Sequence, residues 1–252
     1  MQRNLSIDIG NTRTKIALFE ENELVQKEVW EILDMDRLRE LSYNQKVKKV
    51  ILSSVAKVPT AVEDFFMTQF YYLHLSAQTP LPIGLQYLTP DTLGKDRVAA
   101  AVGAQHIYPG ENCLVIDAGT CITMDMVDRN GVFLGGNISP GIEMRLKAMH
   151  HFTARLPLVK QADIGGHLKE NPLGNSTENA IRLGGELGAL LETEGFIKLM
   201  EKRFQHLIVI LTGGDTDFFV KNIKTKIFAH PNLVLIGLNQ ILQYNAKLTD
   251  GF

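Results

Sequence analysis

The chain has 252 residues, 45% hydrophobic and 21% charged, with a formal net charge of −2 at pH 7. That balance suits a globular protein with a sizeable core and gives no electrostatic case for nucleic acid as the main partner. No apolar stretch approaches the ~20 residues that span a bilayer, and Asp8 interrupts the first apolar run before a leader could form, so a cytoplasmic chain with no membrane partner is expected.

In chain order, Leu5–Ile9, Lys15–Phe19 and Leu24–Val29 read as short strands, with Glu20-Glu21-Asn22 as a polar turn. A helix near Met35–Ser42 follows Asp34, a candidate N-cap. Lys49–Ser53 reads as a strand, Thr60–Gln69 as a helix, Tyr71–Leu75 as a strand and Arg97–His106 as a helix with Asp96 at its start. The second half repeats the plan. Cys113–Asp117, Ile122–Val127 and Val132–Gly136 read as strands, and a helix follows Pro140. The segment Phe152–Asn175 reads as an irregular insertion. Asn175–Arg203 reads as a long helical stretch, interrupted at Gly184-Gly185 and at Gly188. Leu207–Leu211 and Leu233–Ile236 read as buried strands, and Leu238–Ala246 as a closing helix. Cys113 and Cys121 show no CxxC spacing and no nearby ligand histidines, so reduced thiols are expected. Trp30 reads as packing, and His150-His151 as a helix end.

Two stretches match each other: LSIDIGNTRTKIALF from Leu5 and LVIDAGTCITMDMV from Leu114. Asp117 follows Asp8 by 109 residues, a period too long for a solenoid and suited to duplication at domain scale. Two α/β lobes with mixed sheets are expected, 1–110 and 111–252, parted near Pro109-Gly110. One aspartate at the end of one strand would fit a turn cap. Two, each followed by glycine and threonine, fit ligand binding better. In two lobes facing one cleft, the carboxylates can hold a cation and the turn amides can hold phosphate oxygens. Gly10 and Gly119 allow close backbone approach, Thr12 and Thr120 add hydroxyls, and Lys15 adds a point charge for phosphate. GxxxxGK[ST] and GxGxxG are both absent, which disfavours a P-loop kinase, a protein kinase and a dinucleotide-binding dehydrogenase.

The duplicated strand-turn-strand resembles the superfamily of sugar kinases, acetate kinases, actin and the heat-shock chaperone ATPases. This resemblance implies two ribonuclease-H-like lobes closing on ATP. Asp8-Ile9-Gly10-Asn11-Thr12-Arg13-Thr14-Lys15 looks like the first phosphate loop, Asp117-Ala118-Gly119-Thr120 like the second, and Thr212-Gly213-Gly214 like the adenosine loop. The D-x-G-N-T-x-x-K form is similar to that of type III pantothenate kinases. Gly94-Lys95-Asp96-Arg97 matches that family's G-x-D-R, Gly135–Gly141 its G-G-x-I-x-P-G, and Asn175-Ser176-Thr177 its substrate threonine. Cys121 departs from the alanine that many relatives carry after the second loop.

The resemblance implies transfer of the ATP γ-phosphoryl group to the 4′-hydroxyl of pantothenate, the first step of coenzyme A biosynthesis. Asp96 would be the general base, and a helix N-terminus favours its ionised form. Arg97 could grip the pantothenate carboxylate bidentately, with Gly94, Lys95, Tyr87 and Thr177 completing the acceptor pocket. Asp8 would hold Mg²⁺ through water, and Asp117 a monovalent cation, K⁺ or NH₄⁺. A homodimer is implied, with the helix Thr177–Met200 as its candidate interface. Two rivals stay open: another small-molecule kinase of the superfamily, and a nucleotide-binding regulator without turnover. Against the second, the sequence shows no helix-turn-helix extension and no basic stripe.

Overall fold

The computed structural model describes residues 3–10, 12–161 and 170–250. It divides into two compact units: Met1–Pro109 with Gly131–Phe133 and Asn232–Phe252, and Gly110–Asn130 with Leu134–Pro231.

The first unit is built on a five-stranded sheet. Strands β1 (Arg3–Ile9), β2 (Thr14–Glu20) and β3 (Glu23–Trp30) form an antiparallel meander. After helix α1 (Met35–Asn44) the chain enters β4 (Val47–Ser54), then helix α2 (Thr60–Gln69) and β5 (Tyr71–His74). β4 runs parallel to β1, and β5 parallel to β4, giving the order β3-β2-β1-β4-β5. The sequence explains the placement. β4 carries Val50, Ile51 and Leu52, all fully buried, as a central strand covered on both faces requires. Edge strand β3 alternates exposed and half-buried residues along its length. Asp34 caps α1, its carboxylate accepting from the amides of Asp36 and Arg37 at 2.9 and 3.0 Å. Trp30 is buried in the core, donating its indole N–H to Glu28 at 2.7 Å.

The second unit repeats this topology. Strands β7 (Asn112–Ala118), β8 (Cys121–Val127), β9 (Val132–Pro140), β10 (Leu207–Thr212) and β11 (Phe228–Ala229) take the order β11-β10-β7-β8-β9. β7 pairs antiparallel with β8 and parallel with β10, as β1 does with β2 and β4. Helices α4 (Ile142–His151), α5 (Thr177–Arg203) and α6 (Thr216–Asn222) flank the sheet. Their core side chains include Ile142, Leu146, Leu190, Ile197 and Phe219.

Two further elements belong to the first unit. The short strand β6 (Gly84–Leu85) pairs in parallel with the start of β9, Val132 and Phe133. Helix α3 (Lys95–Ile107) packs along helix α7 (Leu233–Asp250).

Three expectations change. Leu233–Ile236 and Leu238–Ala246 form one helix, not a strand and a helix. Val234, Leu235, Leu238, Ile241, Leu242 and Ala246 are all buried at helical spacing, which outweighs the strand-like look of LVLI. Gly237 sits where α7 meets α3: a Cβ there would fall 1.7 Å from the Ala99 carbonyl oxygen. Second, α5 runs unbroken through Gly184, Gly185 and Gly188. Gly185 faces α4, where a Cβ would meet Leu146 Cδ2 at 2.7 Å, so this glycine serves helix packing. Third, the sequence pattern divides the chain at 110/111, whereas packing places α7 and the start of β9 with the first unit. Within the insertion, the described residues Thr153–Gln161 and Glu170–Asn175 hold no helix or strand.

Candidate functional site

Asp8 is the penultimate residue of β1, and the chain turns directly after that strand. The amide of Gly10 donates to the Arg13 carbonyl at 3.1 Å, closing the loop that leads into β2. Register places Lys15 of β2 opposite Asp8 on one side and Ser53 of β4 on the other. The Ser53 side chain hydrogen-bonds the Asp8 carboxylate, and Lys15 attracts it. Burial nevertheless dominates, and together with the neighbouring Asp96 carboxylate it holds the Asp8 pKa up at about 6. A carboxylate held this way favours a nearby cation.

Asp96 lies in the first turn of α3. Its Oδ1 accepts from the Arg97 amide at 2.9 Å, and Gly94 occupies the N-cap position. The carboxylate folds over Gly94 so closely that a Cβ there would lie 2.6 Å from Oδ1. Asp8 and Asp96 thus belong to one unit, and the Asp96 charge acts on Asp8. Arg97 is 6% exposed, its guanidinium 5.8 Å from the Tyr87 ring centroid and 5.7 Å from that of Phe133. The two rings pack edge to face at 5.8 Å. Lys95 turns its ammonium back to the Leu93 carbonyl at 3.1 Å.

Other members of the first loop divide by burial. Thr12 and Arg13 are exposed, Ile9 packs on the core, and Thr14 is buried inside the sheet. Asn11 lies outside the described residues.

The second unit holds the matching loop. Asp117 is the penultimate residue of β7, opposite Thr123 of β8 and Thr212 of β10. The turn is tighter here, with the Gly119 amide donating to the Cys121 carbonyl at 2.9 Å, and Thr120 is exposed on it. Two flanking segments clamp the turn. The Gly141 amide donates to the Thr120 carbonyl at 3.1 Å, and a Cβ on Gly141 would fall 2.1 Å from the Gly119 oxygen. Gly213, at φ +99°, presses against the Ala118 carbonyl and Asp117 Oδ1, where a Cβ would lie at 2.2 and 2.5 Å. Asp215 follows on this loop; burial, then Glu143, raises its pKa, with Gln161 opposing. Thr177 stands exposed in the first turn of α5, and the helix cap is Ser176, whose Oγ accepts from the Asn179 amide at 3.2 Å.

Sequence reasoning missed Ser53 and Phe133. Ser53 is set by the pairing of β1 with β4, and Phe133 by the β6–β9 contact; neither leaves a local motif. Among the described residues no group of three or more His, Cys, Asp or Glu side chains could hold a metal, and no helix is long and apolar enough to cross a membrane.

Two sheets of one topology, each with an aspartate at the end of its first strand, define the α/β fold of the actin-like ATPases and sugar kinases. Solved structures agree on the fold. The activator of 2-hydroxyisocaproyl-CoA dehydratase from Clostridium difficile matches with a TM-score of 0.56 at 14% identity, over 99% of this chain and 97% of that one. The ROK hexokinase from Thermus thermophilus matches with a TM-score of 0.53 at 14% identity, over 97% and 99%. The sequence model of the type III pantothenate kinase family matches residues 4–199. Type III pantothenate kinases of Christiangramia forsetii and Bacteroides fragilis are 43% and 44% identical, each over 96% of this chain and 98% of the relative. The chain belongs to the type III pantothenate kinase family.

Proposed function

We propose that this protein transfers the γ-phosphoryl group of ATP to the 4′-hydroxyl of pantothenate, in the cytoplasm, as the first step of coenzyme A biosynthesis. The observation that carries this reading, beside family membership, is the placement of Asp8 and Asp96 within one unit: a phosphate-side carboxylate and an acceptor-side carboxylate near enough for the Asp96 charge to act on Asp8.

In this mechanism Asp96 accepts the proton of the 4′-hydroxyl as its oxygen bonds to the γ-phosphorus, and the bond to the β,γ-bridging oxygen breaks to release ADP. Phosphoryl transfer needs alignment and charge stabilisation more than covalent help. Lys15, the Thr12 amide and Thr120 bind the phosphate oxygens, while the Gly10 amide closes the loop on the Arg13 carbonyl. Arg97, held between two rings, pairs with the pantothenate carboxylate, while Tyr87, Gly94, Lys95 and Thr177 complete the acceptor pocket.

The donor sets fit two cations. Asp8, a carboxylate with raised pKa beside the Ser53 hydroxyl, offers oxygen ligation of the sparse kind that Mg²⁺ takes when nucleotide phosphates supply the rest. Asp117 Oδ1 and the Ala118 carbonyl oxygen lie together against Gly213, two oxygen donors of the kind that K⁺ or NH₄⁺ takes. When bound, these cations offset negative charge on the triphosphate. A homodimer is part of the proposal, with α5 as the candidate interface; Leu191 and Leu199 are exposed on it, at 54% and 58%.

The test is phosphorylation of pantothenate by pure protein with ATP and Mg²⁺, with and without K⁺, read by mass spectrometry. Product formation stimulated by K⁺ supports the reading. An inert pantothenate beside a reactive hexose would favour a different acceptor.

A further inference from the structure

We infer that Phe133 is a positioning residue for the acceptor carboxylate, acting through Arg97 and Tyr87. This rests on the pantothenate reading above. Phe133 is fully buried at the start of β9 and makes three separate connections to the acceptor side. Its ring centroid lies 5.7 Å from the Arg97 guanidinium carbon. The same ring meets Tyr87 edge to face, with centroids 5.8 Å apart at 62°. Its carbonyl accepts from the Gln86 amide at 2.9 Å, which fixes the backbone just before Tyr87.

The physical consequence is orientation. An arginine side chain has many rotamers and loses their entropy when it grips a carboxylate. A guanidinium already seated against two aromatic rings has lost that freedom before substrate arrives. Cation–π attraction to the two rings helps hold the guanidinium in place. The Arg97 amide also donates to Asp96 Oδ1 at 2.9 Å, so the anchored arginine and the base share one turn of helix. Phe133 comes from a strand far from G-x-D-R in sequence, and no motif announces it.

The experiment compares pantothenate with pantothenol, whose terminal alcohol replaces the carboxylate, in wild type and Phe133→Leu. Leucine keeps an apolar filling but has no aromatic face. Loss of one cation–π contact should raise KM for pantothenate roughly 2- to 30-fold. KM for ATP and kcat should stay within about twofold, and the KM penalty should vanish with pantothenol. Phe133→Met serves the same comparison if Phe133→Leu does not fold. An equal penalty on both acceptors, or a fall in kcat with KM unchanged, would overturn the inference and make Phe133 mere packing. Wild-type protein inert toward pantothenate would instead overturn the functional reading.

Discussion

Gly94→Ala separates catalytic placement from stability. A Cβ at residue 94 would lie 2.6 Å from Asp96 Oδ1. Ordinary van der Waals contact begins at about 3.5 Å, so the carboxylate oxygen must retreat by roughly 0.9 Å. The backbone poses no obstacle, because Gly94 has φ −55° and ψ 130°, which alanine adopts freely. The half-buried Asp96 side chain can rotate away, at the cost of its hydrogen bond from the Arg97 amide. One such bond contributes about 1 kcal/mol, and the cap change from glycine to alanine adds a few tenths more. Stability should therefore fall by roughly 1–1.5 kcal/mol, a Tm loss of about 4 °C or less for a chain of this size. Misplacing a catalytic group by ~1 Å can cost ~10²-fold, so kcat should drop by about that factor with KM for ATP unchanged. The assay is ADP release coupled to NADH oxidation, paired with calorimetric unfolding. A kcat within threefold of wild type would show that the position of the Asp96 carboxylate does not govern turnover.

Two further substitutions probe other parts of the site and the fold. The raised pKa of Asp8 means the folded state holds its proton more tightly than the unfolded chain. Asp8 therefore costs nothing below the ordinary carboxylate range, costs more as pH rises toward about 6, and carries its full cost above that. Asp8→Asn should thus stabilise the metal-free protein at pH 7.5, by up to ~3 kcal/mol, lose that gain below about pH 4, and abolish kinase activity; urea unfolding across pH reads the first two. Gly237→Ala forces a methyl group to within 1.7 Å of the Ala99 carbonyl, against backbone that cannot rotate away. It should destabilise by about 1–3 kcal/mol or more and lower activity by shifting α3; an unchanged Tm would contradict the close packing of α3 on α7.

The elements most legible in sequence were those whose pattern is local. Asp34 announced α1 because its carboxylate caps a turn two and three residues away. The two D-x-G turns announced a duplicated sheet because each ends a strand with the same chemistry, and the strand orders of the two units agree. Asp96 and Arg97 could be placed at a helix start because Gly94 punctuates the pattern. What stayed hidden depends on contacts distant in sequence. The run LVLI beginning α7 has the composition of a strand, and only its packing on α3 shows that Gly237 lies within a helix. The glycines of α5 look like breaks until Leu146 is seen filling the space at Gly185. Ser53 and Phe133 entered the site through strand pairing, which no local motif encodes.

Turnover of pantothenate by wild type and Asp96→Asn, measured side by side with ATP, Mg²⁺ and K⁺, bears most directly on the central claim. Wild type should yield 4′-phosphopantothenate, and the variant should lose ~10²–10⁴ in kcat while binding ADP with unchanged affinity by calorimetry. Near wild-type turnover in the variant would show that the base lies elsewhere.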